Sequence, residues 1–124
     1  AVNGNGQPYG AEDTQNFTLL LQEFRRQLDA INPKLMLTVA TNAGVDKYSK
    51  LELDKISQYL NYVNLMTYDL HGAWERTTGH GAPLYTSSAA PYTTPVSTYA
   101  IDTAVQGYLA GGVPASKLIV GIPF

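Results

Sequence analysis

The sequence predicts an α/β fold with parallel strands, and three observations carry that expectation. Three short apolar runs, "KLMLTVATNAG" (residues 34–44), "YVNLMTYDL" (62–70) and "KLIVGIPF" (117–124), are too short for typical helices. Segments with apolar residues three and four apart precede each run. The resulting order is helix then strand, three times over. Strands separated by helices cannot form hairpins, so they lie parallel with right-handed crossovers and with helices on at least one face.

Residues 1–10, "AVNGNGQPYG", are rich in Gly and Asn without periodicity and read as a loop. A helix follows from Glu12. Phe17, Leu20, Leu21, Phe24 and Leu28 form its apolar face, which packs on a neighbour; Asp13 or Thr14 is the expected cap and Asn32-Pro33 the stop. The run at 34–44, between Pro33 and Gly44, reads as a strand buried on both faces. The second helix covers 49–60, with Leu51, Ile56, Tyr59 and Leu60 apolar and with Ser49 and Glu52 spaced as a capping box. After the strand at 62–70 comes an irregular stretch from His71 to about Val96, rich in Gly, Pro, Ser and Thr. Irregular segments of that length inside a domain are usually functional or disordered. The third helix, 97–110, is expected to bury Ile101, Val105 and Tyr108 and to close at Gly111-Gly112. The last strand runs over 117–124.

A chain of 124 residues that is 44% hydrophobic suits one domain over residues 1–124. A net charge of −2, with Arg25-Arg26 the only adjacent basic pair, points away from nucleic acid and from an anionic membrane. The absence of cysteine excludes disulfides and thiolate metal sites. No apolar run approaches the roughly 20 residues of a membrane span, and no signal segment opens the chain. The expectation is a cytoplasmic protein or one whose signal has been removed. Nine tyrosines and one tryptophan against three phenylalanines favour rings with a polar edge, which suit hydroxyl-rich ligands and half-buried packing alike.

In parallel α/β folds the ligand site lies beyond the carboxyl ends of the strands, here residues 41–44, 68–74 and 123–124. Tyr68 and Asp69 stand at such an end. Neighbours on a strand point to opposite faces, so the pair serves one ligand only if the backbone turns there. The carboxylate then accepts from a ligand N–H while the phenol donates to a carbonyl or oxyanion; the alternative is an Asp69 that caps the next turn and a Tyr68 that packs in the core. Asn42 ends the first strand as a polar group directed the same way, or as turn chemistry with Gly44. His71 orients Asp69 or the loop through a hydrogen bond. With His80 as its only partner, it lacks the ligands for a metal site. Trp74 is a platform for a sugar ring face or a loop anchor.

"YVNLMTYDLHGAWE", then "TGHGAPLY", then "KLIVGIPF" resemble family 18 glycoside hydrolases, the chitinases, and the bacterial type in particular. "EDTQNFTLLLQEFRRQLD" and "LMLTVATNAG" extend the resemblance over nearly the whole chain. It implies a partial (β/α)8 TIM barrel, roughly strands five to seven with the helix preceding each. It also implies a chitin or chitooligosaccharide substrate, no cofactor, and a secreted parent enzyme. Met66, Tyr68 and Asp69 would line the subsite of the N-acetylglucosamine being cleaved. Tyr68 would donate to the acetamido carbonyl that acts as internal nucleophile, Asp69 would stabilise the oxazolinium, and Met66 would form the floor. Trp74 would stack on the sugar on the leaving-group side.

The family's general acid ends an Asp-x-x-Asp-x-Asp-x-Glu motif, and these 124 residues contain no such motif. Glu12, Glu23, Glu52 and Glu75 all lack the upstream aspartates. By the resemblance the first residues follow that motif, so the chain is expected to be an inactive middle piece of a barrel. Its sheet edges would be open and would favour homo-oligomers. A lectin-like chitooligosaccharide binder and a purely structural, self-associating half-barrel are the other readings.

Overall fold

The computed structural model describes residues 8–89 and 91–124; most of the loop expected over 1–10 therefore lies outside the described residues. The elements are α1 (Asp13–Ile31), β1 (Thr38–Asn42), α2 (Val45–Tyr48), α3 (Leu53–Tyr59), β2 (Tyr62–Met66), a 3-10 turn at Val96–Thr98, α4 (Ile101–Ala110), a 3-10 turn at Ala115–Lys117, and β3 (Leu118–Val120). The three strands form one parallel sheet in the order β1-β2-β3. Val63 pairs with Val39 and Leu118, and Leu65 with Thr41 and Val120. This face meets the helices: Val63 and Leu65 pack in one core with Leu21, Ile56, Leu60, Tyr108 and Val113. The opposite face carries Thr38, Ala40, Asn42, Tyr62 and Ile119, all exposed.

That one-sided cover corrects the expectation of a first strand buried on both faces. β1 is an edge strand with helices on one side only, and Thr41 is its single buried residue. The strands are also shorter than the apolar runs. β2 stops at Met66 because the backbone turns after it, and β3 is a three-residue strand whose pairing is extended by the Gly121 N–H donating to the Leu65 carbonyl at 2.9 Å.

α1 ends where expected, with Asn32 extended and its N–H on the Leu28 carbonyl. Its start differs. Glu12 is the N-cap and makes no side-chain bond, whereas Asp13 accepts the Gly10 amide at 3.0 Å and the Thr14 hydroxyl donates to the Lys50 carbonyl at 2.8 Å. Of the five apolar residues expected to pack, Leu21 alone is buried, and Leu20 and Phe24 are about half exposed. The sheet extends under one side of α1 only, so the apolar stripe is wider than its contact.

The helix expected over 49–60 is shorter, Leu53–Tyr59, and a separate one-turn helix, α2, precedes that span. Ser49 ends α2 as its C-cap, and Glu52 is the uncapped N-cap residue of α3, with ψ 74 breaking the helical path. Glu52 does not complete a capping box, because its carboxylate accepts from the Thr18 hydroxyl at 2.7 Å and pairs with Lys55. The Thr18 bond ties the start of α3 to α1. At the other end of α3, Lys117 Nζ donates to the Ser57 and Leu60 carbonyls at 2.7 Å each, satisfying orphan groups that a helix end leaves.

The third helix begins at Ile101 rather than 97, after an extended Tyr99 that separates it from the 3-10 turn. Tyr108 is fully buried, together with Ala104, whereas Ile101 and Val105 are only half-buried. Closure at Gly111-Gly112 is as expected, with Gly112 at φ +92.

Candidate active site

The carboxyl ends of β1 and β2 lie side by side, with Asn42 paired to Met66. Beyond Met66 the chain is pinned from below: Thr67 is fully buried and its hydroxyl donates to the Gly121 carbonyl at 2.7 Å. Asp69 then takes φ +52, a left-handed conformation that Asp tolerates better than most residues. Leu70 follows into a small cluster with Ala43 and Ala104, and its N–H donates to the Gly81 carbonyl at 2.8 Å. The turn at Asp69 is the break that the sequence reading requires for Tyr68 and Asp69 to face one ligand.

Asn42, Met66, Tyr68 and Asp69 all line one cavity of about 260 Å³, joined by Lys47 and Tyr99. Tyr68 is half-buried and Asp69 exposed. The set offers a phenol, a carboxylate, a carboxamide and an ammonium together with a thioether, a mixture that can hold an amide by both its oxygen and its N–H.

Lys47 and Tyr99 carried no signal in the sequence. Lys47 is an isolated lysine, and Tyr99 arrives from the far side of the long irregular stretch. They share Asp46, which accepts the Tyr99 hydroxyl at 2.6 Å and pairs with Lys47 at 2.7 Å. Burial pushes the Tyr99 phenol up, and the Asp46 carboxylate adds to the effect. Burial also works to raise Asp46, but the Lys47 ammonium and the Tyr99 hydroxyl outweigh it and hold the carboxyl below its ordinary value.

His71 and Trp74 are not among the residues lining this cavity. His71 is buried, its Nδ1 lies 3.0 Å from Glu75 Oε2, and its ring stacks on Tyr92 at 4.3 Å. Of the two roles read for it, orienting Asp69 or orienting the loop, the bond to Glu75 is a loop contact. Trp74 is 68% exposed on the same loop. Among the described residues no three His, Cys, Asp or Glu side chains gather as a metal site, and no helix is long and apolar enough to cross a membrane.

Residues 2–124 match the sequence profile of the family described as Glycosyl hydrolases family 18. The chain belongs to glycosyl hydrolase family 18. Its relatives in the family include Chitinase 1 of Aphanocladium album, 41% identical over 94% of this chain and 28% of that protein. Chitinase A1 of Niallia circulans is 41% identical over 91% of this chain and 17% of that protein. Among solved structures, chitinase ChiA74 from Bacillus thuringiensis superposes with a TM-score of 0.87 at 40% identity, over 100% of this chain and 20% of that one. The Ostrinia furnacalis Group IV chitinase, solved in complex with allosamidin, gives a TM-score of 0.86 at 36% identity, over 98% of this chain and 32% of that one. The chain thus spans less than a third of these relatives. It is a partial family 18 barrel, an α/β piece with three parallel strands.

Proposed function

We propose that this chain is the part of a chitin-hydrolysing glycosidase that grips the acetamido group of the N-acetylglucosamine being cleaved, and that alone it does not hydrolyse chitin. The observation that carries the reading is the convergence of Asn42, Met66, Tyr68 and Asp69 on one cavity at the strand ends. In substrate-assisted, retaining hydrolysis of β-1,4-linked N-acetylglucosamine the acetamido oxygen attacks the anomeric carbon, so no enzyme nucleophile is needed. The Tyr68 hydroxyl donates to that oxygen, and Asp69 accepts from the acetamido N–H and stabilises the oxazolinium. Met66 forms the floor, Asn42 adds a polar contact, and Trp74 stacks on the leaving-group sugar. His71 supports the loop. Extracellular action on chitin belongs to the same proposal.

Cleavage also needs an acid at the glycosidic oxygen. None of the four glutamates lines this cavity. Glu23 is bound to Arg26, Glu52 to Lys55 and Glu75 to His71. Loss of general-acid assistance removes about 10²–10⁴-fold in rate. Purified chain incubated with a fluorogenic chitobioside is expected to give background turnover; robust hydrolysis overturns the inactivity.

The exposed Trp74 favours a second reading, a lectin-like chitooligosaccharide binder. Titration calorimetry separates the two: strong heat that Trp74→Ala abolishes and Tyr68→Phe preserves favours the lectin. The open sheet supports a further element of the proposal, self-association. Ile119 and Tyr62 on the uncovered face are 43% and 39% exposed, and β1 and β3 each leave an edge unpaired in this sheet. Sedimentation at micromolar concentration is expected to show species larger than the monomer, and a clean monomer overturns this element.

A further inference from the structure

Asp46 is not among the residues lining the Asn42–Asp69 cavity, yet both of its carboxylate oxygens are engaged by residues that are. Oδ1 accepts the Tyr99 hydroxyl at 2.6 Å, and Oδ2 lies 2.7 Å from the Lys47 ammonium. The two partners come from separate parts of the chain, Lys47 from the one-turn helix α2 and Tyr99 from the extended residues just before α4. Gly44 leaves the room for them to meet. A Cβ there would stand 2.9 Å from Asp46 Oδ1 and 3.0 Å from Tyr99 Cζ, so the phenol passes close over a position without a side chain. The Tyr99 ring also neighbours the buried His71, with centroids 6.3 Å apart.

A tyrosine hydroxyl carries one hydrogen. With that hydrogen given to Asp46, the Tyr99 oxygen offers a ligand lone pairs only, whereas Lys47, with one N–H directed at Asp46, keeps two donors. Burial and the Asp46 carboxylate both raise the Tyr99 phenol, so the proton stays on it.

We propose that Asp46 is a positioning residue of the acetamido site, holding Tyr99 as an acceptor and Lys47 as a donor on the cavity wall. The inference rests on the acetamido reading above. Asp46 touches no ligand and acts through these two side chains. An N-acetylated sugar answers both, with a hydroxyl or N–H for the acceptor and an oxygen for the donor.

The test follows the Tyr99 phenol by ¹³C NMR in the ligand-free chain, and chitobiose binding by ¹⁵N chemical shifts at Asn42 and Asp69. Asp46→Ala is expected to bring the Tyr99 titration down toward the ordinary tyrosine range and to weaken chitobiose binding about tenfold. Asp46→Asn keeps an acceptor for Tyr99 but no charge for Lys47. It is expected to fall between Asp46→Ala and the unsubstituted chain, and it replaces Asp46→Ala if that variant does not fold. Tyr99→Phe removes the same bond from its other end, so its loss combined with that of Asp46→Ala is expected to be less than additive. Chitobiose binding that the Asp46 variants leave unchanged overturns the inference and leaves the acetamido site standing. An unmoved Tyr99 titration, or fully additive losses, overturns it as well. Absence of shifts at Asn42 and Asp69 in the unsubstituted chain overturns the acetamido reading and the positioning role with it.

Discussion

Asp69 carries a conformational role in the structure and a chemical one in the proposed function, and the two separate by substitution. Its φ of +52 disfavours residues with a Cβ and no locally bonding side chain. Asp69→Ala is expected to lower unfolding free energy by about 1 kcal/mol, whereas Asp69→Gly keeps the fold's stability within a few tenths and still removes the carboxylate; urea titrations of both variants check this. Tyr108 is a second decisive residue. It is fully buried, its hydroxyl donates to the Asn42 carbonyl at 2.8 Å, and burial pushes its phenol up to about 12. The unfolded phenol ionises near its ordinary value of 10, so between these values the unfolded state binds fewer protons and stability falls as pH rises. Chemical denaturation on either side of that window is expected to show the loss, on the order of 2 kcal/mol from Tyr108, and Tyr108→Phe is expected to reduce it, with the raised Tyr99 and Tyr48 phenols supplying the remainder. Asn42, Tyr68 and Asp69 were legible as candidates because strand ends in parallel folds gather functional groups, and Met66 through the family resemblance alone. Lys47 and Tyr99 were not legible. Tyr99 reaches Asp46 across 53 residues of chain, through an irregular stretch that has no period to read.

The elements were legible where periodicity was strong, and their limits were not. α1 and its stop at Asn32 follow from spacing and Pro33, but the late start of the helix expected over 49–60 turns on Glu52, which a local motif assigns to Ser49 and the structure assigns to Thr18 and Lys55. β3 shows the same dependence on context. Three residues do not hold a strand by themselves, and Lys117 anchors its start through two carbonyls of α3. Hydrogen bonds to a charged donor contribute about 1.5–3 kcal/mol in total here. Lys117→Ala is expected to destabilise by that amount in urea titration, with faster amide exchange at Ile119 than at Val63.

Among the described residues the molecule is a sheet with helices on one side. Alternation of strands and helices announced the parallel sheet, and the apolar character of the runs suggested burial on both faces because the composition of a run does not say how many layers cover it. An uncovered face is a property of the assembly around the sheet, invisible to local pattern. Charges placed there should act on association and not on folding. Tyr62→Lys with Ile119→Lys is expected to shift the sedimentation profile toward the monomer while moving the unfolding midpoint little, since both side chains already meet solvent.

The stitch between β2 and β3 bears on how genetic variation in this fold would be interpreted. A Cβ added at Gly121 would stand 2.6 Å from the Leu65 carbonyl oxygen and 2.7 Å from the Tyr68 ring. In a saturation-mutagenesis scan read out by the ligand retention proposed for Tyr68, Gly121 would therefore score beside Tyr68 itself, although it contributes no side chain to any ligand. A glycine on a neighbouring strand would masquerade as a contact residue, and only its intolerance of alanine, with no chemical preference among larger replacements, would give it away.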